Sequence, residues 1–339
     1  MAPRTPRIEH GDARSKLIEL AAHYRNGTLG HPSPVFPDPV APAVKLQSAG
    51  DGPLGTQVVD LSFPSDYTPF HPDARDMYLA VTENMTCHAR WWTSDRGRPT
   101  IVLIHGWGGG NHWVTFRTFL VPYWLRHGWD VAAFVLPFHG ARAPGSGVGR
   151  SGALFPSPNP LRTNEGFAHA IYDLRALATF LRSRGASAVG AMGMSLGGYT
   201  TALWASIAGP GEAGGADFAV AMIPAVSMSR LFWGHGAQSP TRARAEKAGI
   251  TEDLLADAFE VHAPTTRPPR VPLARRFVIA GHGDRITPPE QAEMLAAHWG
   301  TEILWFDGGH LAQIGRSDAL RTVRRSLGAL AFEGRKFRE

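Results

Sequence analysis

Residues 190–204 read GAMGMSLGGYTTALW. A single serine, Ser195, stands between Gly193 and Gly197 at the end of an apolar run, and helix-forming residues follow at once. The stretch before it, SAVGAMG (187–193), has the pattern of a buried strand, and GYTTALWASIA (198–208) that of an apolar helix. A strand that turns into a helix within so few residues leaves no room for side chains around the turn, which accounts for the flanking glycines. Ser195 is then either a nucleophile or only a small residue in a tight turn.

The rest of the chain bears on that choice. TIVLIHG (100–106) and DVAAFVLPF (130–138) are continuous apolar runs suited to strands buried on both faces. DFAVAMIP (217–224), RFVIAG (276–281) and EILWF (302–306) continue the series. Between them lie helical patterns: VTFRTFLVPYWLRHG (114–128), GFAHAIYDLRALATFLRSRG (166–185), EQAEMLAAHWG (290–300) and a last helix from about Leu311 to Phe332. In the second of these, Phe167, Ile171, Leu174, Ala178 and Leu181 form the apolar stripe of a surface helix. MYLAV (77–81) and TCHARWW (86–92) read as an antiparallel strand pair. Repeated strand–helix alternation predicts an α/β fold, a mostly parallel central sheet with helices on both faces. About 50 residues separate DFAVAMIP from RFVIAG, more than a crossover needs, and predict a small cap insertion over about 226–272 with one or two short helices. Residues 1–75, with a short amphipathic segment and the Pro/Gly-rich HPSPVFPDPVAPAV, read as an N-terminal arm on a domain spanning 76–339.

Composition narrows the partners. The 339 residues carry a net charge of +5, and the tail from Arg321 onward holds Arg321, Arg324, Arg325, Arg335, Lys336 and Arg338 against Glu333 and Glu339. The excess is therefore local, without the basic stripe and interleaved aromatics of a nucleic-acid groove. One cysteine, Cys87, leaves no disulfide and no CxxC site. No apolar leader and no membrane-length run is evident, so a soluble, cytoplasmic chain with no integral membrane segment is expected. With no HExxH or close His/Asp cluster, no metal and no cofactor are expected.

A serine hydroxyl needs a base to take its proton and a carboxylate to orient that base. Both follow Ser195 in order, each on a loop after a strand: Asp284 in GHGDRITP (281–288), 89 residues on, and His310 in DGGH (307–310), a further 26. An acyl-transfer oxyanion also needs backbone donors, and the turn HGWGG (105–109) after TIVLI supplies them. The expected donors are the amides of Trp107 and Leu196, with Gly108 beside them. His105 reads as a turn histidine bonded to backbone, His139 as lining the mouth of the site or as a second turn histidine, and Asp307 as a rival to Asp284. Trp107, Trp113, Met194, Leu196, Phe232 and Trp233 either shape an apolar acyl pocket or pack in the core.

GMSLG, HGWGG, GHGDRITP and DGGH together resemble the elbow, oxyanion turn, acid loop and histidine loop of the α/β-hydrolase superfamily, over about Asp76 to the C-terminus. LPFHGAR (136–142) with YDLRALATFL (172–181) is similar to its dienelactone-hydrolase-like and peptidase-like branches. The elbow serine separates the chain from members that carry aspartate there. The resemblance implies an α/β-hydrolase fold with Ser195 as nucleophile, His310 as general base and Asp284 as orienting carboxylate. The function it implies is serine esterase or lipase-like cleavage of a small-molecule or lipid-like ester. The same residues serve an acyltransferase, a peptidase or a catalytically silent scaffold, and the sequence does not separate these.

Overall fold

The computed structural model describes residues 10–26, 28–30, 33–94, 96–145, 151–235 and 240–330. In chain order the elements are α1 (His10–Arg25), β1 (Lys45–Asp51), β2 (Gln57–Pro64), α2 (Arg75–Leu79), β3 (Thr86–Thr93), β4 (Thr100–Ile104), α3 (His112–Thr118), α4 (Val121–Arg126), β5 (Asp130–Phe134) and α5 (Pro160–Ser183). They continue with β6 (Val189–Met194), α6 (Leu196–Ile207), β7 (Ala219–Met222), α7 (Met228–His235), α8 (Pro240–Lys247), α9 (Glu252–Phe259), β8 (Arg276–Gly281), α10 (Pro289–Trp299), β9 (Ile303–Phe306) and α11 (Ser317–Leu330).

The strands form one nine-stranded sheet in the order β1-β2-β3-β5-β4-β6-β7-β8-β9. Pairing is antiparallel from β1 to β5 and parallel from β5 to β9. The chain leaves β4 for β5 on one side and returns to β6 on the other. That change of direction opens a crevice at the carboxyl ends of β4 and β6, where open α/β sheets bind ligands. Every residue of β4 and β5 is buried. Val102 and Ile104 face one core, Ile101 and Leu103 the other, as the period of a strand covered on both faces requires.

Several expectations change. MYLAV is not a strand: residues 75–79 are the short helix α2, and β3 pairs antiparallel with β2, from the stretch read as an arm, and with β5. The polar strand β1, KLQSAGD, is exposed along its whole length at the sheet edge. The helix expected over 114–128 breaks at Leu120, whose φ of 55° interrupts α3 and α4. The insertion holds three helices, α7 to α9. The last helix starts at Ser317 rather than Leu311, because Gly308 N–H donates to Ile314 O and Gly309 N–H to Ala312 O, folding 308–314 on itself. Its expected end at Phe332 and the basic residues Arg335, Lys336 and Arg338 lie outside the described residues.

The helix expected to lie on the surface, α5, is buried on nearly every side. Asn159 caps it, its side chain accepting from Arg162 N–H at 3.1 Å. Its apolar stripe faces the sheet, and its polar face is covered by the N-terminal region. Glu165, fully buried, accepts from the hydroxyls of Tyr24 and Tyr67 and from the N–H groups of Phe70 and His71, both at 2.9 Å. One and two turns on, His169 and Asp173 meet Ser65 and Arg142, all inaccessible or nearly so. Buried charge is tolerable only with such complete partnering.

Candidate active site

Ser195 is half-buried at the junction of β6 and α6, at φ 58° and ψ −117°. A side chain at positive φ is strained by on the order of 1–3 kcal/mol. Packing enforces it: a Cβ at Gly193 would lie 2.0 Å from Gly197 O, and one at Gly197 2.0 Å from Ile104 O. Ser195 N–H donates to Met222 O at 3.0 Å, and its carbonyl accepts from Ala225 N–H at 3.2 Å, so the turn is pinned to the neighbouring strand. Leu196 begins α6; its amide is among those with no carbonyl a turn earlier to receive them, at the positive end of the helix.

The turn after β4 passes beside the hydroxyl. A Cβ built on Gly106 would sit 3.9 Å from Ser195 Oγ, an ordinary contact distance. His105 holds this turn from below: its Nδ1 lies 2.8 Å from Gly106 O, and its Nε2 accepts from Leu136 N–H at 3.2 Å. These bonds fix the neutral tautomer with the proton on Nδ1, and burial, aided by His139, drives the pKa down to about 3. Above, Trp107 is exposed and its Nε1–H donates to Gly152 O at 2.9 Å, while Ser151 Oγ–H donates to Gly109 O at 2.6 Å. Gly108, at φ 74°, has open space on its Cβ side.

The loops after β8 and β9 bring Asp284 and His310 together. His310 Nδ1 lies 2.8 Å from Asp284 Oδ2. Oδ1 of the same buried carboxylate accepts from Ile286 and Thr287 N–H, each at 2.9 Å. Burial pushes this carboxyl up, but the His310 hydrogen bond and charge and the two backbone donors outweigh it, and Asp284 stays below its ordinary value. Asp307 points to solvent from the same loop as His310. The bonds of the His310 ring run to Asp284 and Thr287, and none reaches the Ser195 hydroxyl.

Thr287 and Gln313 are site residues that the sequence reading missed. Thr287 Oγ1 lies 2.9 Å from Ile223 O, 3.1 Å from Asp284 Oδ2 and 3.1 Å from His310 Nδ1, linking the acid loop to the loop after β7. Its signal was available, since a threonine three residues after an aspartate is a common side-chain turn. Gln313 Nε2 donates to Met194 Sδ and to His310 O, both at 3.0 Å, tying the histidine loop to the residue before Ser195. No local pattern announces it.

The remaining expected site residues have partners of their own. His139 is fully buried under the turn after β4: its ring lies 5.0 Å from that of His105, its Nδ1 lies 2.8 Å from Pro137 O, and burial lowers its pKa to about 4. Trp233 is partnered by Arg242, whose guanidinium stacks 4.8 Å from its ring and donates to its carbonyl at 2.7 Å. Phe232 packs edge-on against Phe259 at 6.0 Å, within the insertion. Among the described residues no group of three or more His, Cys, Asp or Glu side chains is placed to hold a metal ion, and no helix is long and apolar enough to cross a membrane.

No protein-family model matches the chain. Two uncharacterised proteins of Mycobacterium tuberculosis, from strains H37Rv and CDC 1551, are each 31% identical to it over 273 residues, 78% of this chain and 62% of theirs. The chain thus spans less than two thirds of the length of the curated relatives it matches. Among solved structures, acetyl xylan esterase 1 of Thermoanaerobacterium sp. JW/SL YS485 is similar with a TM-score of 0.57 at 15% identity, over 92% of this chain and 93% of that one. The acetyl xylan esterase of Paenibacillus sp. R4 is similar with a TM-score of 0.58 at 15% identity, over 96% of each chain. Identity that low speaks for architecture alone, and with the mostly parallel sheet and its change of direction at β4 it establishes that the chain has the α/β-hydrolase fold.

Proposed function

We propose that the chain is a serine hydrolase that cleaves a carboxylic ester through an acyl-enzyme intermediate. The observation that carries this reading is the 2.8 Å contact between His310 Nδ1 and a buried Asp284 held below its ordinary pKa, on loops after β8 and β9 at the same sheet edge as the strained Ser195. An ionised Asp284 keeps the His310 proton on Nδ1 and leaves Nε2 free as a base. His310 Nε2 takes the Ser195 proton as Oγ attacks the ester carbonyl, then delivers it to the leaving alcohol. Water repeats the sequence to release the acid. The amides of Leu196 and Trp107 hold the oxyanion, the first strengthened by the helix end.

The test is turnover of p-nitrophenyl esters from acetate to palmitate by the natural chain and by Ser195→Ala. The expected loss in kcat is on the order of 10^6-fold, with an unchanged melting temperature. A folded Ser195→Ala protein that still turns over sinks the mechanism. Failure of a fluorophosphonate to label the natural chain would point to a silent scaffold.

A further inference from the structure

The large apolar side chains most exposed to solvent gather on the loops that carry the candidate site. Leu311 is 87% exposed and Ile314 72%, both just after His310; Trp107 and Trp113 are each 67% exposed, after β4. Val114 at 50% and Ile286 at 44%, the latter two residues from Asp284, extend the set. Hydrogen bonds join these loops into one rim. Arg316 donates to Thr118 O, fastening the histidine loop to the end of α3, and Gln313 fastens it to Met194. Gly106 in turn lies against Ser195. Water-facing apolar side chains are ordinary when scattered, but a contiguous set around a site marks a contact surface.

The character of the rim selects an occupant. On the loops themselves the exposed charges are Arg117, Arg285 and Asp307, two cations to one anion, while in the helices beyond, Glu290 is exposed and Asp318 is paired with Arg321. Arg117 lies over the Trp113 ring at 5.4 Å, pairing a cation with an amphipathic aromatic. Tryptophan with an arginine beside it, flanked by leucine and isoleucine, suits the boundary between headgroups and acyl chains, and cations there favour anionic headgroups.

We infer that this rim docks on an anionic lipid surface, so that an ester held in that surface meets Ser195 with little travel through water. The inference rests on the proposed ester chemistry, but docking itself needs no turnover and can be read without it. The experiment is flotation of Ser195→Ala protein with phosphatidylcholine vesicles, with and without phosphatidylglycerol, beside the same protein carrying Leu311→Ser and Ile314→Ser. The expected result is co-flotation that phosphatidylglycerol strengthens and the double change weakens by about tenfold or more, from the apolar area no longer buried. The Leu311→Ser, Ile314→Ser chain with Ser195 intact should hydrolyse a soluble acetyl ester as the natural chain does, so a failed docking result stays distinct from failed ester chemistry. Absence of flotation, or equal flotation with and without the double change, overturns the inference. A dimer in light scattering that the double change converts to monomer also overturns it, assigning the rim to a second copy of the chain.

Discussion

Among the described residues, two regions each hold a serine, a histidine and an aspartate that invite comparison. Asp284 and His310 meet on loops at the carboxyl edge of the sheet, the edge that also carries Ser195; Ser65, His169 and Asp173 meet under α5, in the interior. In the second group Ser65 Oγ–H is directed to Asp173 Oδ1 at 2.6 Å, so the oxygen is left to accept from His169 Nε2 at 2.9 Å. Tyr78 O–H donates to His169 Nδ1 at 3.0 Å, and Arg142 grips Asp173 at 2.7 Å. Each proton already has a destination. Burial pushes His169 below its ordinary pKa, toward the neutral form. Burial pushes Asp173 up, and His169, Arg142 and Ser65 more than offset it, bringing it to about 2. The edge group differs in backbone and access. Its serine sits at positive φ, half-buried, with a glycine turn against it and helix amides behind it. What separates the two regions is not residue type but backbone and access: only Ser195 is strained and open at a strand end.

The largest test of this contrast replaces the carboxylates one at a time. Asp284→Asn should lower kcat by about 10^4-fold while the fold persists, because the amide favours the wrong histidine tautomer. Steady-state kinetics beside a thermal melt would check it, and a loss of stability in place of activity would make Asp284 the interior kind of residue.

The edge group was readable because each member follows a continuous apolar strand, in an order that one topology explains. The interior group was not. Ser65 and Asp173 are 108 residues apart, and the donors to Glu165 come from Tyr24 and Tyr67, 141 and 98 residues away. The stripe Phe167, Ile171, Leu174, Ala178 and Leu181 located the sheet-facing side of α5 but carried no sign that something would cover the polar side. MYLAV misled because a short apolar run suits a strand and a buried helical turn equally. The edge strand β1 has no apolar face to read.

Asp173→Ala should do the reverse of Asp284→Asn, costing about 3–5 kcal/mol by leaving Arg142 charged and unpaired in the interior, with turnover per folded molecule retained. Chemical denaturation would measure it. The acid limb sharpens the point. The folded Asp173 pKa, about 2, lies below the ordinary 3.8, so its stabilisation is complete above pH 3.8 and is lost as pH falls toward 2. Asp173→Asn should flatten the acid-unfolding curve in that window; an unchanged curve would remove Asp173 from the acid response.

The smallest expected effect is on Gln313. Gln313→Ala should lower kcat by about tenfold with KM unchanged, since it frees the histidine loop without touching an ester. Gln313→Glu, which lacks the donating amide, should match alanine. Equal loss in KM would make Gln313 a substrate contact.

The N-terminal helix has a mechanical consequence. Arg25, at its end, donates to Glu260 at 2.9 Å and to Asp257 at 3.0 Å. From the other side Asn164 of α5 donates to Ala258 O at 2.9 Å, and Tyr199 of α6 lies 2.6 Å from His262. The far end of the insertion is thus a post, riveted to the body by α1, α5 and α6. α8 carries no buried residue. Bonds made by α1 thus anchor a segment 235 residues later in the chain, so loosening Arg25 would reach the insertion without touching it directly.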